Sequence, residues 1–175
     1  AVAAFQALTI STSTFQDNTA GTQGGAVWGS WSVTSTDSSY AGNTAANVGG
    51  AVWAGGVVTS TSDSFGGNSA TNFSGGAIYT SAGAAISDGT FTENQATTAG
   101  GAIDAAVLTL NGGSFAGNQS GGGTYAGGAV ASVTGAVGSV TAGVAVSDKT
   151  GFALTSAYDA AKSAASQSSV DSLSA

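Results

Sequence analysis

Acid–base chemistry in this 175-residue chain rests on nine carboxylates, because the chain holds no His and no Cys. That excludes a Ser-His-Asp triad, a Cys-His pair and an ordinary zinc site. Gly121-Gly122-Gly123 and the several Gly-Gly-Ala runs lack the Lys of a P-loop and the spacing of a dinucleotide loop. One catalytic route remains: cleavage of a polysaccharide by paired carboxylates, or by carboxylates with calcium. Asp37, Asp63 and Asp88 recur at steps of 26 and 25 residues, which brings them toward one edge of a repeating fold. No Arg accompanies them, and Lys149 and Lys162 are the only cations. Turn-forming, solvated Asp is the ordinary reading of such residues. The expectation is no enzyme, no metal and no cofactor.

Two other series repeat at the same step. Trp28, Trp53 and Tyr79, followed by Asp104, each come directly after Val27, Val52, Ile78 and Ile103. If the aliphatic residue points inward, the next one points outward, and the series forms an aromatic strip. Such strips mark contact surfaces, and aromatic faces suit sugar rings or a partner chain. A covering loop or N-terminal segment is the alternative. The other series is hydroxylated: Thr9/Ser11, Thr34/Thr36, Thr59/Thr61, Ser87 and Thr109, with Ala85 and Asn111 as its exceptions. Exposed strand positions favour Thr without any function.

The elements that position these residues follow from the repeat. Gly24-Gly25-Ala26-Val27-Trp28 returns at Gly49, Gly75, Gly100 and Gly127. A second block keeps step with it: Phe15-x-x-Asn18, Tyr40-x-x-Asn43, Phe65-x-x-Asn68, Phe91-x-x-Asn94 and Phe115-x-x-Asn118. The aromatic anchors are 25, 25, 26 and 24 residues apart, a period that signifies a solenoid. Before each anchor, period-two alternation predicts a short strand with one apolar and one hydroxylated face. About 25 residues make one coil of three strands and three turns, and coils stack about 4.8 Å apart. Phe and Tyr then form an internal ladder. The Asn side chains form another, since buried amides must be paired. Paired glycines fit corners without room for a Cβ, or with positive φ, and the lack of Pro keeps every strand able to donate.

These paired signatures, GGA[IV] and F-x-x-N, resemble the repeat of chlamydial-type polymorphic outer membrane proteins. The resemblance covers about residues 5–131. It implies a right-handed parallel β-helix of an autotransporter-like surface adhesin, without that family's membrane barrel. The Thr files resemble the T-x-T arrays of β-solenoid ice-binding proteins. Residues 137–159, VGSVTAGVAVSDKTGFALTSAYD, resemble segments of bacteriophage tail-fibre and related virion proteins, where they join a trimeric stalk to neighbouring domains.

The expected architecture is therefore all-β: a right-handed parallel β-helix of about five coils over residues 1–131. A Val/Gly-rich linker or stalk follows over 132–149, and a short helical tail over 150–175. In the tail Leu154, Tyr158, Ala161 and Ala165 share a face that Val170 and Leu173 extend. That helix either packs with other chains, as in a coiled coil, or is a frayed tail.

Composition bounds the function. The chain is 42% hydrophobic but only 6% charged, with a formal net charge of −7. So few cations exclude direct binding of nucleic acid or anionic lipid, and no apolar run is long enough for membrane insertion. Ala1 to Ile10 lacks the basic start and apolar run of a signal peptide. The reading that results is a non-catalytic structural or adhesive fibre protein, extracellular, on a cell surface or in a virion. Its partner would be a glycan or cell-surface receptor, or copies of itself in a trimer or filament. Ice binding is the alternative, and a tailspike-like polysaccharide-degrading enzyme ranks third.

Overall fold

The computed structural model describes residues 1–121. The expected stalk, the helical tail and the end of the repeat region beyond residue 121 lie outside the described residues.

Residues 1–121 form a parallel β-solenoid of five coils, and every strand pairing is parallel. Coil 3 shows the plan. Val52–Ala54 and Val58–Thr61 lie end to end in a long sheet, Ser64–Gly66 lies in an anchor sheet and Ser69–Ala70 in a third. Coils 1 and 2 repeat it, so each of these coils has four short strands where three were expected. In coils 4 and 5 the two halves fuse into Ile78–Ser87 and Ile103–Asn111. The difference lies at the seam between the halves. In coil 3 the seam is Gly55-Gly56, whose added Cβ atoms would run into the coil 2 backbone at Ser30 and at Trp31–Ser32. Coil 4 passes the seam as continuous strand with a bulge between Thr80 and Gly83.

The uneven anchor spacing has a local origin. The step of 26 comes from one additional residue in the loop before Gly75, where Phe73 O accepts N–H bonds from both Thr97 (3.0 Å) and Thr98 (2.9 Å). The step of 24 comes from one residue fewer at the coil 5 seam, opposite the bulge. Between these points the register is unbroken.

Anchors Tyr40, Phe65 and Phe91 are fully buried. Adjacent rings from Phe15 to Phe115 stack at centroid distances of 4.6–5.1 Å, within 7° of parallel. Val27, Val33, Val52, Val58, Ile78, Ile86, Ile103 and Leu108 fill the rest of the core. Each such side chain contributes about 1.5–3 kcal/mol by leaving water.

The Asn ladder holds one corner. Asn43 Oδ1 accepts the Asn18 backbone N–H (3.1 Å) and its Nδ2–H (2.9 Å). Asn68, Asn94 and Asn118 repeat this toward the preceding coil. The second Nδ2 proton goes to the preceding anchor's carbonyl, as from Asn68 to Tyr40 O at 2.9 Å. Every buried side-chain N or O among the described residues is satisfied.

The glycine doublet has two distinct reasons. The first glycine turns the corner in left-handed backbone, with φ from +55° to +69° at Gly24, Gly49, Gly75 and Gly100. The second has no space: a Cβ on Gly25, Gly50 or Gly76 would overlap the carbonyl oxygen of the equivalent glycine one coil on. The other two corners also turn through left-handed residues. One column is Thr12, Asp37, Ser62, Asp88 and Gly112, and the other is Asp17, Gly42, Gly67, Glu93 and Gly117.

Candidate functional site

The aromatic series sits in one register file: Trp28 pairs with Trp53, Trp53 with Tyr79 and Tyr79 with Asp104. All four are half-buried. Trp28 and Trp53 stack on each other, with centroids 5.2 Å apart and planes 13° apart. From coil 1, Phe5 meets Trp28 edge-on at 5.2 Å and 65°, and Trp28 Nε1 donates to Gln23 Oε1 at 3.3 Å. The facing surfaces of the two indoles are thus spent on each other, and Trp28 is further closed in by Phe5 from the opposite coil. These rings act first as an outer staple between coils.

Four exposed apolar side chains stand nearby, at the seam of the long sheet, while Phe73 is exposed in the loop before Gly75. Phe5 is 78% exposed and Trp31 66%. Val57 of coil 3 and Val107 of coil 5 are also exposed. Coil contacts hold the seam in place: Ser30 N–H donates to Ala4 O (2.9 Å), Gly56 N–H to Trp31 O (3.1 Å) and Thr80 Oγ1 to Gly56 O. Sequence reading missed Phe5 and Trp31 because neither falls on a repeating column. The available signal was that each lies outside the alternation yet is large and aromatic.

The hydroxyl residues lie in two files on the other half of the long sheet. Thr9, Thr34, Thr59, Ala85 and Thr109 form one, and Ser11, Thr36, Thr61, Ser87 and Asn111 the second. Thr9, Ser11, Thr34, Thr59 and Thr109 are exposed, whereas Thr36, Thr61 and Ser87 are half-buried. The inward residue between them is itself a hydroxyl in two coils, Ser35 and Ser60.

The three aspartates do not form one solvated group. Asp37 and Asp88 are exposed corner residues two coils apart, in left-handed backbone. Asp63 is one position further on and only 1% exposed. It does not fit the expectation of solvated Asp, because the column position it occupies points into the coil. Its Oδ1 accepts the Ser38 backbone N–H (2.7 Å) and its Oδ2 the Ser60 hydroxyl (2.6 Å). Burial holds its carboxyl above the usual range; the Ser60, Ser38 and Ser35 hydrogen bonds pull the other way, and the nearby Asp37 charge adds to the rise. Burial likewise pushes the Tyr40 phenol up to about 12, against its 2.8 Å bond with Ser35 and with the Asp63 charge. No group of three potential metal ligands occurs among the described residues.

The Chlamydia polymorphic membrane protein (Chlamydia_PMP) repeat matches residues 12–30 and 88–106. Each matched segment runs from an anchor and its Asn through a glycine doublet, and the two coils between them carry the same residues in the same register. The coils of this β-solenoid are similar to polymorphic membrane protein repeats. No curated protein and no solved structure matches the chain. Between the two matched segments the shared residues include the anchor, the Asn and the glycines, all of them structural here. Phe5, which precedes the first matched segment, and Trp31, which follows it directly, fall outside that shared set.

Proposed function

We propose that this chain is a non-catalytic, surface-located structural protein that attaches to a glycan or cell-surface receptor through the seam of its long sheet. A polymorphic membrane protein repeat on a β-solenoid fits a surface or adhesin-like structural protein, and a cell-surface location is consistent with it. The observation that carries the reading is the exposed pair Phe5 and Trp31, beside the Trp28–Trp53 stack. Exposed aromatic rings on an otherwise hydroxylated surface are contact groups. Phe5 and Trp31 supply the contact, while Trp28, Trp53, Tyr79 and Asp104 shape the ground beside them. The absence of His and Cys from the chain, and the enclosure of Asp63, speak against a catalytic role.

The test is binding to a glycan array and to cells by the full chain and by a Phe5→Ala/Trp31→Ala variant. The variant loses binding and keeps a β-rich circular dichroism spectrum. Undiminished binding overturns the seam assignment. Native mass measured on both proteins separates the remaining use of this surface: self-association lost in the variant makes the seam a subunit interface.

A second reading rests on the Thr files. Thr9, Thr34 and Thr59 are exposed and stacked directly in register, at the roughly 4.8 Å spacing of adjacent strands. A regular hydroxyl lattice of this kind orders water. Thermal hysteresis by the purified chain supports ice binding, and its absence removes this reading.

A further inference from the structure

The interior of coils 2 and 3 contains a buried polar group that attachment does not use. Tyr40 and Ser35 of coil 2 share a hydrogen bond, Ser60 and Asp63 of coil 3 share another, and Asp63 reaches back to the Ser38 N–H of coil 2. All five residues are at most 4% exposed. We propose that Asp63 is a proton-operated clip between the second and third coils, holding them tightest when its carboxyl is protonated and loosening them when the proton leaves.

The position of Asp63 shows why it acts between coils. Its column is Ser13, Ser38, Asp63, Gly89 and Gly113. Ser38 Oγ accepts the Ser13 backbone N–H at 3.1 Å, just as Asp63 Oδ1 accepts that of Ser38. A side-chain oxygen thus secures the preceding coil at this corner, in parallel with the Asn ladder at another. Coils 4 and 5 carry glycine here and have no such link. Asp63 is the one titratable member of the column.

Its surroundings decide which protonation state fits. The groups facing Asp63 are Ser35, Ser38 and Tyr40 from coil 2 and Ser60 from its own coil, with Gly89 and Thr90 of coil 4 against its backbone carbonyl. The charged neighbour is Asp37, of the same sign. No Lys or Arg lies among the described residues, since the two lysines are Lys149 and Lys162. The Ala1 ammonium bonds Asn18 Oδ1 at a different corner. A buried carboxylate without a cation carries a desolvation cost that its hydrogen-bond donors offset only in part. Protonated, Asp63 donates from Oδ2 to Ser60 Oγ and keeps Ser38 N–H on Oδ1, so both contacts persist with the Ser60 bond reversed. Deprotonation breaks the O–H bond, leaves the electron pair on the carboxylate and releases the proton to solvent.

The sign follows. An unfolded Asp titrates at about 3.9, and the folded group titrates higher. Its stabilisation is complete below the unfolded value and is lost as pH rises through the folded one. The experiment compares thermal midpoints of the full chain and of Asp63→Asn from pH 3 to pH 8. Asn retains an acceptor for Ser38 N–H and a donor to Ser60 Oγ but cannot ionise. The midpoint of the native chain drops relative to the variant by several degrees as pH rises, and the variant is the more stable one at pH 8. Parallel curves, or a variant less stable at pH 8, overturn the proposal. Carboxyl carbon NMR of the native chain tests it without a mutant: Asp63 titrates above the ordinary Asp range, and titration at or below that range overturns it.

Discussion

Asn94 Oδ1 accepts both the backbone N–H of Asn68 at 3.0 Å and its Nδ2–H at 2.9 Å, so a single oxygen fixes a residue of the coil before it by main chain and side chain together. This fork is repeated from coil to coil, and the other Nδ2 proton ties it to the aromatic ladder through the preceding anchor's carbonyl. It makes the solenoid a chain of nearest-neighbour contacts, with stability accumulating coil by coil.

Removing one rung of this ladder should therefore be severe inside the stack and mild at its start. Asn68→Ala strands the Asn43 N–H and Nδ2 and the Tyr40 carbonyl. At about 1–3 kcal/mol for each buried unsatisfied group, the total is expected to reach several kcal/mol. Asn18→Ala, at a half-buried position, costs about 1 kcal/mol. Chemical denaturation of both variants measures the contrast.

The anchor ladder gives a parallel gradient. Phe65 is buried and stacked on both sides, by Tyr40 and Phe91. Phe65→Ala is expected to cost about 3–5 kcal/mol. Phe15 is half-buried and stacks only on Tyr40 among the described anchors, so Phe15→Ala costs about 1–2 kcal/mol. Equal losses in denaturant melts would contradict the stacked arrangement.

The glycines separate into those that need space and those that need only backbone freedom. Gly50→Ala places a methyl on the Gly76 carbonyl and against the Ser69 backbone, and it is expected to abolish folding. Gly67 has φ +62° but nothing within 4 Å of an added Cβ. Its column already holds Asp17 and Glu93 in the same conformation, so Gly67→Asn changes stability by no more than about 1 kcal/mol. Circular dichroism and thermal melts of the pair check this.

Tyr40 should reveal itself at alkaline pH. Its phenol, buried and bonded to Ser35, ionises at about 12, against about 10 in an unfolded chain. The neutral phenol's stabilisation is whole below pH 10 and is lost between 10 and 12. Tyr40→Phe removes that part of the alkaline loss, at a cost of about 1 kcal/mol near neutrality because Ser35 loses its bond to the phenol. Ultraviolet titration follows the phenolate, and melts from pH 8 to 11 follow stability.

Much of the fold is legible in the sequence because stacking puts like over like. Phe15 to Phe115, Asn18 to Asn118 and the glycine doublets each recur in phase, and each names an interior position. What resists reading is whatever departs from the period. The split of the long sheet in coils 1 to 3, at seams as different as Phe5-Gln6-Ala7 and Gly55-Gly56, leaves no mark in the spacing. Asp63 looks like Asp37 and Asp88 in sequence, but one position of offset moves it from a corner into the core. The candidate site is less legible still. Trp28 and Trp53 mark the correct region through their spacing, but their stacking takes up the ring surfaces a ligand would meet. Phe5 and Trp31 occur once each and leave no periodic trace.

The bulge at Thr80–Gly83 and the doubled bond at Phe73 show where a single inserted or deleted residue is absorbed, at loop and seam, without disturbing ladder or corner. The same geometry makes a complete lap interchangeable with its neighbour, because the upper side of one coil presents what the lower side of any other requires. Unequal crossing-over between such segments would lengthen or shorten the rod in increments of about 25 residues. Reach can thus be altered by gene rearrangement while each junction keeps the same chemistry.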